Sequence, residues 1–260
     1  MVHYLTMPLR IGSSRLWWRV VATIELGKRT SARTSTVALK YAMAVSGLIM
    51  AGYLILHMYG NLTAFAGPDT FNNYAHHLRT FGTPILPENG LLWIVRVVLL
   101  AAVIVHAYAA IVLWRRNRKS AGYVGGRRYQ SKHNRTGIQR SYASFTMRWG
   151  GVTIALFIVF HILNLTTNDI HPGGAAELPY DKLHNTFQSW WVLVAYTVAM
   201  IAVGFHLWHG VWSAFTTLGR NHGSTRRGSN LTWLAYVVAG VITLGFLAPP
   251  YSIYFFGLGG

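Results

Sequence analysis

Five apolar runs dominate the sequence: Val37–Tyr59, Leu91–Trp114, Phe145–Leu165, Trp190–Phe215 and Leu231–Tyr254. Each holds about 20 residues or more, and a helix rising about 1.5 Å per residue needs about 20 to cross bilayer hydrocarbon. The expected fold class is an all-α membrane protein with five transmembrane helices. The first run begins at residue 37 and is too long for the h-region of a cleaved signal, so it reads as a span.

A net charge of +17 would suit a nucleic-acid binder, but its placement argues for topology instead. Of 23 Lys and Arg, seven precede or enter the first run, ten run from the end of run two into the start of run three (Arg115 to Arg148), and three lie between runs four and five. The opposite loops carry only Arg79 and Lys182 of these, with Asp69, Glu88, Asp169, Glu177 and Asp181. The positive-inside rule then puts the N-terminus in the cytoplasm and the C-terminus outside. Contact with anionic lipid accounts for most of the remaining charge, and a basic docking face for a partner is compatible with it. Residues 1–36 form a polar N-terminal segment in which Trp17 and Trp18, beside Arg15 and Arg19, read as an interfacial helix. Residues 37–260 form the membrane domain, with a charged cytoplasmic loop at 115–135.

Cysteine is absent, which excludes disulfides, thiolate-held iron–sulfur clusters and c-type haem attachment within this chain. No run contains Asp or Glu, so a pump-type carboxylate relay is also excluded.

What the runs do contain is histidine. His57 and His161 fall near the outer ends of spans one and three, and His106 and His206 towards the inner ends of spans two and four. A polar ring in a bilayer needs a partner. Four of them at two matched depths suggest two facing couples, and a couple of imidazoles suits an iron porphyrin, which takes one axial nitrogen on each face. Zinc would want four ligands at one depth, whereas helix rise separates these levels by about 12–20 Å. The first four spans are thus expected to form a haem-binding bundle with two b-type haems. Gly47 and Gly151 lie ten residues inward of His57 and His161, where a missing side chain would admit a macrocycle. Small-residue helix packing explains them equally well. Arg96 on span two meets the outer level, as a propionate or quinone contact or as a snorkelling interfacial arginine. His209, one turn after His206, is a rival ligand. His76, His77 and Arg79, near the outer surface, are candidates for a quinone headgroup or a proton exit.

These stretches, KYAMAVSGLIMAGYLILHMYGNLTAF, FNNYAHHLR, LLWIVRVVLLAAVIVHAYAA, FIVFHILNL and GFHLWHGVWSAF, resemble the cytochrome b membrane anchor of succinate dehydrogenase/fumarate reductase, in its single-chain, five-helix, dihaem form. The resemblance covers roughly 35–255. It implies that His57 and His161 bind a distal haem and His106 and His206 a proximal one. The pattern H-x-x-x-G-x-W-S, matched by His206, Gly210, Trp212 and Ser213, favours His206 over His209. It also implies a flavoprotein subunit with the dicarboxylate site, an iron–sulfur subunit on the cytoplasmic face, and transfer to a membrane quinone, commonly menaquinone. The setting implied is a bacterial cytoplasmic membrane and the tricarboxylic acid cycle, with higher oligomers of the complex open. Some fumarate reductases of this form carry a glutamate two residues before the proximal ligand on span four; Gly204 stands there, which tilts the expectation towards succinate oxidation. The competing readings are another dihaem quinone-linked cytochrome and a haem-free transporter using histidine relays.

Overall fold

The computed structural model describes residues 35–121, 137–219 and 230–258. The expected interfacial helix, the loop after residue 121, and His3, His133 and His222 lie outside the described residues.

Helix α1 (Thr36–Leu62) opens on Ser35, whose hydroxyl accepts the Ala38 N–H at 3.1 Å and satisfies one of the donors a helix start leaves unpaired. It tightens into a 3-10 turn at Thr63–Ala66, and Gly67, at φ +97°, breaks it. Pro68 then starts α2 (Pro68–Thr80), a position where the missing N–H costs nothing. Helix α3 spans Gly90–Ala121, so Arg115, Arg116 and Arg118, read above as loop, lie on its last turns. Solvated cations prolong the helix past the bilayer rather than ending it. Helix α4 (Gly137–His161) runs into a widened π-helical turn, Ile162–Thr166. A short helix, α5 (Pro179–Phe187), leads into α6 (Trp190–Thr217), and α7 (Asn230–Phe256) closes the described chain, with Pro249 and Pro250 inside it.

Helices α1, α3, α4, α6 and α7 are long and apolar enough to cross a membrane. Their large side chains point outward as well as inward: Leu56, Leu156, Val159 and Leu244 are all exposed, as expected for surfaces that meet lipid. The protein is a multi-pass, all-α membrane protein. Helix α6 sits centrally, packed on α7, α4 and α1, while α1 also carries α3 and α7. One buried cluster joins Ala51 and Met58 to Val203, Leu207, Ala239 and Ile242. A second, at the end of the bundle where α1 and α4 finish, gathers Ala64, Tyr180, Phe187, Leu193, Tyr196 and Ile253. The short helices α2 and α5 cap that side, tied by the Tyr180 N–H donating to Asn72 Oδ1 at 3.0 Å and by the Phe71 and Tyr180 rings 5.8 Å apart.

Candidate functional site

Two histidine couples stand inside the bundle. The rings of His57 on α1 and His161 on α4 have centroids 5.8 Å apart at an interplanar angle of 80°. Those of His106 on α3 and His206 on α6 are 6.0 Å apart at 58°. Contacts along α1 give the separation of the two levels. His106 touches Met43, Ser46 and Gly47, ten to fourteen residues before His57, which is about 15–21 Å of helix.

The space between the partners matters as much as their distance. Among the described residues the backbones of α1 and α4 make no extensive packing contact, nor do those of α3 and α6, and an imidazole pair spans each gap. An imidazole nitrogen binds a first-row metal at about 2 Å, with its ring centroid about 1 Å further back, so two trans imidazoles on one metal put their centroids about 6 Å apart. Both couples match that span. Among the described residues no group of three or more His, Asp or Glu gathers as a metal site. Each couple therefore fits a metal that brings its own equatorial ligands, as an iron porphyrin does.

Hydrogen bonds orient the rings. His106 Nδ1 lies 3.0 Å from the Met43 carbonyl, which only accepts, so Nδ1 carries the proton and Nε2 keeps its lone pair. Ser46 Oγ stands 3.4 Å from the same nitrogen while donating to the Ala42 carbonyl at 2.7 Å. His206 differs, its Nδ1 being buried without a hydrogen-bond partner among the described residues. Neighbouring rings hold His57: Tyr53 stacks on it at 5.3 Å and 11°, and Phe246 of α7 lies 5.5 Å away. His161 meets the Tyr196 hydroxyl at 3.2 Å.

Comparison with protein families places residues 127–244 in the succinate dehydrogenase/fumarate reductase transmembrane subunit. The match covers less than half of the chain. The matched stretch carries His161 and His206, while His57 and His106 lie on the two spans before it. Comparisons with curated proteins and with solved structures gave no match.

The other expected site residues distribute unevenly. A Cβ on Gly47 would sit 3.2 Å from His106 Cε1, so the room this glycine leaves is taken by the imidazole itself rather than by open space. Gly151 has nothing within 4 Å of its would-be Cβ and does face open space. Ala102 and Ala109, a turn on either side of His106, are buried in packing. Arg96 is exposed, its guanidinium 5.1 Å over the Trp93 ring, the snorkelling arrangement. His76, His77 and Arg79 lie exposed on α2 and do not converge on either couple. It is the His206 ring that meets His106, at a centroid distance of 6.0 Å. At Gly204 a Cβ would fall 2.6 Å from Thr243 Oγ1, so α6 and α7 cross where a longer side chain would force them apart.

Sequence reasoning missed Tyr53, Met43, Ser46, Asn164 and Phe246. Asn164 left a visible signal, an amide inside the apolar run HILNLT. Its apparent counterpart, Asn61 in HMYGNLT, does something different and donates to the His57 carbonyl at 2.8 Å.

Proposed function

We propose that this subunit is the dihaem anchor and electron-transfer component of a succinate:quinone oxidoreductase. His57 and His161 would hold the outer b-type haem, and His106 and His206 the inner one. The single observation supporting this is that four intramembrane imidazoles meet two by two, at ring separations of 5.8 and 6.0 Å, between helices without extensive backbone packing.

Bound there, the two haems would supply one-electron carriers at successive depths. The chain's own work is to hold the rings in register and keep the space dry. Met43 fixes the proton of His106, Tyr196 that of His161, and Tyr53 and Phe246 wall in His57. The basic side, with Arg115, Arg116 and Arg118 on the end of α3, would face the cytoplasm and an iron–sulfur subunit, itself joined to a flavoprotein. Electrons would then run from the inner to the outer couple and on to a quinone, menaquinone being the expected type, in a bacterial cytoplasmic membrane. The Gly204–Thr243 contact leaves no room for an acid beside the inner couple, which favours succinate oxidation over the fumarate direction.

Purification of the intact complex from native membranes tests the reading. Two haems per chain by pyridine haemochrome, split b-type bands and succinate-driven quinone reduction are expected. Replacing His106 or His206 with leucine should remove one haem and leave the other. A colourless complex would refute the proposal.

A further inference from the structure

The widened turn that follows His161 encloses a buried amide, and the hydrogen bonds around it can be read atom by atom. Asn164, 1% exposed, places Nδ2 2.8 Å from the Ile170 carbonyl and 3.2 Å from Thr186 Oγ1. A carbonyl only accepts, so the NH₂ must lie on that side and Oδ1 on the other. Oδ1 faces the Tyr196 hydroxyl at 3.0 Å. An amide oxygen also only accepts, so the single phenolic proton goes to Asn164. Tyr196 then has only lone pairs to offer His161 Nδ1, 3.2 Å away. Nδ1 therefore carries the ring proton, and Nε2 is left as the nitrogen with a free pair.

Packing fixes the phenol independently of these bonds. The Tyr196 ring meets Phe157 at 4.8 Å and 90°, and Phe187 at 4.8 Å and 83°, and the residue is 6% exposed. Edge-to-face contacts on two sides hold the ring without using its hydroxyl. The π-helical turn at Ile162–Thr166 is the local cost of burying Asn164 there, and such turns concentrate at functional positions.

We propose that Tyr196 and Asn164 are positioning residues for the outer haem: the amide directs the phenol, and the phenol sets the tautomer and ring orientation of His161. The inference rests on the dihaem reading above. An imidazole that donates from its outer nitrogen is the more basic ligand and favours ferric over ferrous iron. Tyr196→Phe removes the acceptor while keeping the ring packed against Phe157 and Phe187.

The test is a redox titration of the purified complex, wild type beside Tyr196→Phe, with ferric low-spin electron paramagnetic resonance on both. His57→Leu identifies which signal belongs to the outer haem. In Tyr196→Phe the ferric preference of the outer haem falls about tenfold, a rise of about 59 mV for a one-electron couple, while the inner haem is unmoved. Selective loss of the outer haem supports the inference as well, because loss of such a support weakens metal binding by about 10–100-fold. Asn164→Leu, which frees the phenolic proton to compete for Nδ1, shifts the outer haem in the same direction and carries the test if Tyr196→Phe does not accumulate. Unchanged midpoints and spectra in both variants overturn the inference, and so does equal movement or loss of the two haems. A wild-type complex without two haems would instead defeat the underlying functional reading.

Discussion

The contact between Gly47 and His106 makes a sharp prediction for Gly47→Ala. An added Cβ lies 3.2 Å from His106 Cε1 and 3.4 Å from Nδ1. Relaxed carbon contacts need about 3.5–4.0 Å, so the ring must retreat from α1 by about 0.3–0.8 Å. Met43 sits one turn before Gly47 on the same helix, so retreat from one is retreat from the other. The 3.0 Å bond from Nδ1 to the Met43 carbonyl then stretches towards or beyond useful length. Losing that bond costs about 0.5–1.5 kcal/mol, but replacing a mid-helix glycine with alanine returns about 1 kcal/mol. Global stability is therefore expected to change little, while the His106–His206 couple loses its orienting bond and, on the dihaem reading proposed above, about 10–100-fold in haem affinity. Haem stoichiometry with a redox titration reads this directly: one haem weakened or shifted, the other untouched, and a thermal midpoint near that of wild type. A Gly47→Ala complex with two haems and unchanged midpoints would refute the claim that this glycine seats His106.

Gly151→Leu tests the open space on α4: the new side chain meets no described protein atom near its Cβ, so the chain should assemble normally with lowered inner-haem occupancy, and full occupancy would show that the macrocycle lies elsewhere. Gly204→Leu should force α6 from α7 at Thr243 and lower the thermal midpoint, as an overpacked crossing costs about 1–3 kcal/mol; an unchanged midpoint would contradict the close crossing. Ser35→Ala removes the cap of α1 and should cost about 1 kcal/mol locally, seen as faster amide exchange over its first turn with both haem spectra intact.

Hydropathy made the five spans legible because lipid imposes a length that soluble helices do not share. The extra turns of α3 beyond Trp114 were less visible, since a window that ends at the first cations cannot tell a helix leaving the bilayer from a loop. The histidines could be placed in two levels because rise along a helix is fixed, and their rings do meet in those couples. Which atoms orient them lay beyond reach: the Met43 carbonyl is main chain and leaves no trace in residue type. Asn164 and Asn61 show a second limit. Their motifs echo one another, yet one follows its histidine at three residues within a π-helical turn and the other at four within regular helix, so they reach different partners.

Helix α7 carries none of the four paired histidines, yet its sequence is constrained along its length by what the couples require. Phe246 lies 5.5 Å from His57, and the neighbouring Gly245 leaves its space to the Met58 thioether, one residue beyond that histidine. One turn earlier on α7, Thr243 abuts Gly204, two residues before His206. Beyond Phe246, Pro249 and Pro250 interrupt the regular ladder while remaining buried, and Ile253 closes against the cluster that contains Tyr196. The fifth span therefore touches the surroundings of both couples from the side where α1 and α6 meet. An imidazole left open to headgroup water there would see a higher dielectric and lose the directional value of its hydrogen bonds. Four spans carry the paired imidazoles, and the fifth packs apolar side chains around them.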